Sequence, residues 1–146
     1  MKSKLLELLE YNFHSNEKLL GVSVENFDRL DDKSIKILNH VLNSNQVWNA
    51  RILDETAFGI WQMNDAKDWQ TINEMNYQKS QYVLNGFDLK DILKYKTSQG
   101  VECENSIEDI LFHIINHSTY HRGQIAMRFR ECDLDPLVSD YIFYKR

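Results

Sequence analysis

The sequence predicts an all-α fold: a four-helix bundle with one long crossover and a small β-hairpin between helices 3 and 4. Three observations carry this. One proline and five glycines in 146 residues are too few for a fold built from many tight turns. Four segments repeat apolar side chains at steps of three and four, the period of a helix with one buried face. Between Asp91 and Ser106 that period gives way to two, the mark of a strand pair. A chain of 146 residues has the length of one domain with a proper core, so residues 1–146 read as a single bundle domain.

Residues 2–21 form the first helix, with Leu5, Leu9, Phe13, Asn16 and Leu20 along one line and Gly21 as its expected end. His14 flanks that line and reads as a surface residue. A short helical turn is expected over Val24 to Leu30. Asp31, Asp32 and Lys33 then make a polar break, with Ser34 as the expected cap of the next helix.

The second helix, residues 35–55, buries Ile37, Leu38, Val41, Trp48 and Ile52. His40 lies beside that arc, where a lone histidine is ordinarily a hydrogen-bonded rim residue. Arg51 is expected to form a surface ion pair. Residues 56–70 lack periodicity and form the long connection, whose Trp61 and Trp69 either pack on the bundle or wall a pocket. The third helix spans 71–85, with Thr71 and Glu74 spaced as a capping box.

Alternation then appears at Leu93, Tyr95 and Thr97, and again at Val101 and Cys103, about a turn at Ser98-Gln99-Gly100. An isolated hairpin is marginal in water, so this one must pack on the helices or extend at an interface. Ser106 and Asp109 cap the fourth helix, Ile107 to Arg130. Beyond Cys132 the tail is acidic and aromatic, and Pro136 is expected to prevent further helix.

The fourth helix carries the chemistry. His113, His117 and His121 recur every four residues, so neighbours stand about 6 Å apart along the axis and about 40° apart around it. Only one adjacent pair can share an ion comfortably. Taking Ile114 as the centre of the apolar stripe, His121 falls about 20° away, His117 about 60° and His113 about 100°. The stripe favours His117 with His121. Two imidazoles turned into a core without a carboxylate partner carry a large desolvation cost, which either a metal or a set of hydrogen bonds relieves. His40 becomes interesting because that pair lacks a third ligand. Three imidazoles plus water is the open arrangement of a catalytic zinc site. Neither Cys103 nor Cys132 is placed to close it.

Composition narrows the partners. Lys plus Arg number 17 against 22 Asp plus Glu, a net charge of −5, which argues against a nucleic-acid backbone or an anionic membrane as the main partner. No apolar run approaches the ~18 residues of a membrane span and no segment resembles a signal peptide. Two thiols without a paired spacing fit reduced residues, and a cytoplasmic location is expected.

Taken together, these residues resemble the DinB-like (DinB/YfiT) metal-binding four-helix bundles. The resemblance covers the whole chain. It rests on Tyr11-Asn12 with Asn16-Glu17-Lys18-Leu19-Leu20, on His40, Trp48 and Arg51, on Tyr95 with Thr97-Ser98-Gln99-Gly100, and above all on Asn116-His117-Ser118-Thr119-Tyr120-His121-Arg122-Gly123-Gln124. It implies a metal held by His40, His117 and His121, with zinc or nickel the usual ions, and places His113 outside the ligand set. It implies homodimers and, among roles, S-transfer from a small-molecule thiol to an electrophile; metal-dependent hydrolysis and a non-catalytic binding or scaffold role are the alternatives. Tyr120, Arg122 and Gln124 are the nominees for catalysis. His14 departs from the pattern, standing where relatives often carry tryptophan.

Overall fold

The computed structural model describes residues 1–146. It bears out the expected class. Helices α1 (Lys2–Glu25), α2 (Asp32–Leu53), α3 (Trp69–Gly86) and α4 (Ile107–Glu131) make the bundle, and strands β1 (Ile92–Lys96) and β2 (Glu102–Ser106) pair antiparallel between α3 and α4. A single turn, α5 (Tyr141–Tyr144), lies in the tail.

The helix directions follow from which side chains share a core. One apolar cluster joins Leu5 and Leu9 from the start of α1, Ile52 and Val83–Leu84 from the ends of α2 and α3, and Ile107 to Ile115 from the start of α4. The other joins Leu19 and Leu20, Ile37 to Leu42, Trp69, and Ile125 with Phe129. Helices α1 and α4 therefore run one way, α2 and α3 the other. Consecutive parallel helices need a connection as long as the bundle. The 22 residues of α2 rise about 33 Å, and residues 54–68 cover that length as the crossover.

Amide side chains, besides the aliphatic ones of the two clusters, join α2 to what lies around it. Asn49 donates to Asn45 Oδ1 at 3.1 Å, to the Asn76 carbonyl at 3.0 Å and to Ser80 Oγ at 3.0 Å, and Asn76 donates to the Leu42 carbonyl at 2.9 Å. Farther round the helix, Asn39, Asn43 and Gln46 hold the crossover. Asn39 Oδ1 accepts from the Asn64 amide (2.7 Å), Asn43 donates to the Gln62 carbonyl (2.8 Å), and Gln46 accepts from the Phe58 amide (2.7 Å) and donates to the Thr56 carbonyl (3.0 Å). A segment without secondary structure thus has its backbone groups answered from a rigid helix.

The hairpin packs on the bundle. Leu93 reaches the first core cluster, the Tyr95 ring meets Trp48 edge-on at 5.0 Å, and β2 runs straight into α4, whose Asp109 amide donates to the Ser106 cap at 3.1 Å. Gly100 takes φ +79 in the turn, and the strands end at Lys96 and restart at Glu102, leaving Thr97 and Val101 to close the turn by a 2.8 Å backbone bond.

Several boundaries differ from the sequence expectation. Helix α1 does not stop at Gly21 but continues to Glu25, because Ser23 is buried and bonds back to the Leu19 carbonyl at 2.7 Å. Asp31, rather than Ser34, caps α2; its carboxylate accepts from the Ser34 amide at 2.7 Å and also pairs with Arg128 of α4. Helix α3 begins at Trp69, two residues before the expected capping box, because the indole at that first position is fully buried. Pro136 does not end helix formation, since Tyr141 on α5 returns to pack on Tyr11 at 5.4 Å between ring centres. Arg51 forms no ion pair: its guanidinium lies over Trp48 at 4.6 Å and Tyr95 at 5.0 Å. No helix is long and apolar enough to cross a membrane.

Candidate metal centre

The facing surfaces of α2 and α4 bring His40, His117 and His121 together, with one ligating atom from each ring all within 4.8 Å of one another. Two are one turn apart on α4, where the four-residue step superposes them. The third comes from α2, which packs against α4. All three are partly buried.

Hydrogen bonds orient two of the rings. Nδ1 of His40 donates to the Ile60 carbonyl at 3.3 Å, and Nδ1 of His121 donates to Gln124 Oε1 at 2.8 Å. Each of these bonds places the ring proton on Nδ1 and leaves Nε2 as a lone-pair donor, the tautomer a metal requires. His121 Nε2 then faces His117 Nε2 at 3.0 Å, so the proton between them belongs to His117. A tetrahedral zinc at ~2.0–2.1 Å from each nitrogen would set them about 3.3 Å apart. The His117–His121 pair is close to that spacing, with a proton where a cation would go, and the His40 nitrogen lies within 4.8 Å of both.

Charge favours the same use. Burial pushes the His117 imidazole down to about 3, with the neighbouring histidines adding to it, and burial also lowers His40. Both rings are therefore neutral near pH 7, and no carboxylate or thiolate joins the cluster. Three imidazole nitrogens fit a divalent ion with a free coordination position.

Aromatic rings flank the cluster on both sides. Trp61, 59% exposed, stacks on His40 at 4.0 Å with only 12° between planes. Tyr120 stands beside His121 at 5.1 Å and is 63% exposed. Trp69, grouped with Trp61 by the sequence, lies in the core and takes no part. His113 is outside the triad, against His117 at 5.3 Å and Trp48 at 5.5 Å. His14 is on another face, beside Glu17 at 3.4 Å.

Arg122 turns the other way. Its guanidinium is 3% exposed and donates to Asn12 Oδ1 at 2.7 Å, Asn16 Oδ1 at 2.8 Å and Thr119 Oγ1 at 3.0 Å, above the Tyr11 ring. It ties α4 to α1. The sequence reading missed two contributors: the Ile60 carbonyl and the Asn39–Asn43–Gln46 ladder that presents it. The ladder's three- and four-residue spacing of amides on α2 was the available signal.

Comparison with known proteins agrees with this architecture. The sequence model of the DinB family matches residues 1–146. The chain is also similar to Protein DinB of Bacillus subtilis (strain 168), at 22% identity over 164 aligned residues that cover 99% of this chain and 95% of that protein.

Proposed function

The chain belongs to the DinB family, and on that premise we propose that it is a divalent-metal-dependent S-transferase acting on a low-molecular-weight thiol. His40, His117 and His121 are the ligands of this reading, and zinc or nickel the ions. One observation carries it: three imidazoles on two helices with no fourth protein donor among them, an open set and not a closed structural one. A divalent cation in such a set lowers the pKa of a thiol or water bound to it.

The chain's own residues supply the rest. Gln124 and the Ile60 carbonyl hold the rings of His121 and His40 in the ligating tautomer. Trp61 provides an exposed flat wall against which an electrophile can lie. In the transfer the thiol loses its proton to solvent through the open side, a sulfur–carbon bond forms, and the electrophile's leaving group departs with the bonding pair. Of the nominees, Tyr120 stands exposed beside the cluster for contact with that leaving group, Gln124 orients a ligand, and Arg122 braces the helix. The same reading takes the protein to be a cytoplasmic homodimer. Phe112, Tyr120 and Met127 expose their side chains along α4, and nothing approaches within 4 Å of where a Gly123 side chain would begin, so a second copy could lie close there.

The test is conjugation of glutathione, bacillithiol, coenzyme A or cysteine to a soft electrophile. Metal-loaded protein should exceed the free-thiol rate, chelation should remove the excess, and His40→Ala should fold normally yet lose turnover. Bound metal without any acceleration across the four thiols would favour a scaffold, and turnover of esters or amides instead would make the site hydrolytic.

A further inference from the structure

Beyond the metal cluster, the same α2–α4 face continues as a chain of rings toward the hairpin. His117 is followed by His113 at 5.3 Å, His113 by Trp48 at 5.5 Å, and Trp48 by Tyr95 of β1 at 5.0 Å. At the far end stands Arg51, its guanidinium over both Trp48 and Tyr95. This arginine is half-buried, has no carboxylate within salt-bridge distance, and makes one long contact, to the Lys96 carbonyl at 3.4 Å. Here two aromatic faces from two different elements hold the cation in place and leave donors unused.

We infer that Arg51, held against the rings of Trp48 and Tyr95, is an anion subsite that receives the acidic end of an elongated thiol whose sulfur reaches His40, His117 and His121. The inference rests on the S-transferase reading for what happens at the sulfur, and on Arg51 alone for the anion. A guanidinium packed against two rings has less freedom left to lose on binding an oxyanion through two parallel N–H bonds. Arg51 follows His40 by eleven residues, about 16 Å of helix rise. Allowing for the length of the side chains, the ligand must separate its sulfur from its anion by roughly three to four residue lengths of extended chain. The phosphopantetheine arm has that reach and that ending. Cysteine is too short to occupy both places.

Matched ligands test this. 4′-Phosphopantetheine and pantetheine share a thiol arm and differ in the phosphate, and binding can be followed by quenching of tryptophan fluorescence with the metal-loaded protein. Wild type should bind the phosphorylated arm ten- to a hundred-fold more tightly, the worth of a charge-assisted pair. Arg51→Met, which keeps the apolar stem over Trp48, should abolish the preference and leave pantetheine and metal affinity unchanged; Arg51→Lys should recover part of it. Equal binding of the two arms by wild type, or a preference that survives in Arg51→Met, overturns the subsite. S-methylated phosphopantetheine separates the two readings. It cannot donate a thiolate, so its Arg51-dependent binding supports the subsite even if no transferase activity exists, and its failure to bind counts against the subsite even if transfer is observed.

Discussion

His121 and Arg122 are neighbours in sequence and opposites in design. The first points from α4 toward α2, where its Nε2 meets only another imidazole. The second points toward α1, where three protein oxygens accept from its guanidinium. Both are polar side chains taken largely out of water. One surface is left short of partners and the other is nearly filled with them. The three half-buried imidazoles of the α2–α4 side are positioned to hold a metal ion. The α1–α4 side is nearly complete already, with Nε of Arg122 the one guanidinium nitrogen left without a partner. Position within a single helical motif therefore says little about role until the facing helix is known.

The contrast is broken most severely by removing a ligand. His117→Ala or His121→Ala should weaken divalent-metal binding at least about a hundred-fold, while His113→Ala leaves most of it, measured by competition with a chromogenic chelator on untagged protein. A His113→Ala protein as deficient as His117→Ala would move the site up the helix. Next in size, Arg122→Met should lower stability to denaturant by about 2 kcal/mol, since it strips charge-assisted bonds from Asn12 and Asn16, with little effect on metal affinity of the folded protein. Loss of metal without loss of stability would erase the division between the two sides.

Gln124→Met sharpens the comparison from within the metal side. It removes the acceptor that keeps the His121 proton on Nδ1 and should reduce metal affinity by about ten-fold, with Gln124→Glu restoring it and unchanged thermal stability in both.

The smallest effect lies at the α2 N-terminus, away from the site. The Arg128 guanidinium beside Asp31 holds its carboxyl far below the usual carboxylate range. A carboxyl whose folded pKa is lowered contributes stability that is fully present above its unfolded value of about 3.9 and lost as pH falls toward the folded one. Asp31→Asn, which can still cap the helix, should flatten the acid limb of the melting temperature between about pH 4 and pH 2 and change it little at pH 7. An unchanged acid limb would show that the pair adds nothing in solution.

What the sequence determined by itself was local. Four-residue spacing placed His117 above His121 on any helix that forms, and the phase of Ile107, Ile110, Ile114 and Ile125 turned both toward a core, since covalent geometry alone sets those angles. The switch to period two announced the hairpin for the same reason. The sequence could also name His40, but only as a rim residue made interesting by a pair that lacked a third ligand, and then by resemblance. Tertiary structure decided the rest. Whether His40 met the pair depended on α2 lying against α4. Trp61 reached His40 only because Asn39, Asn43 and Gln46 pin the crossover along α2. Arg122 was spent on α1 and Arg51 on two aromatic rings, choices invisible to a helical wheel, because a wheel fixes the direction of a side chain and not what stands opposite it. Those partners lie up to 110 residues away along the chain, and only the closing of the bundle brings them within a hydrogen bond's length.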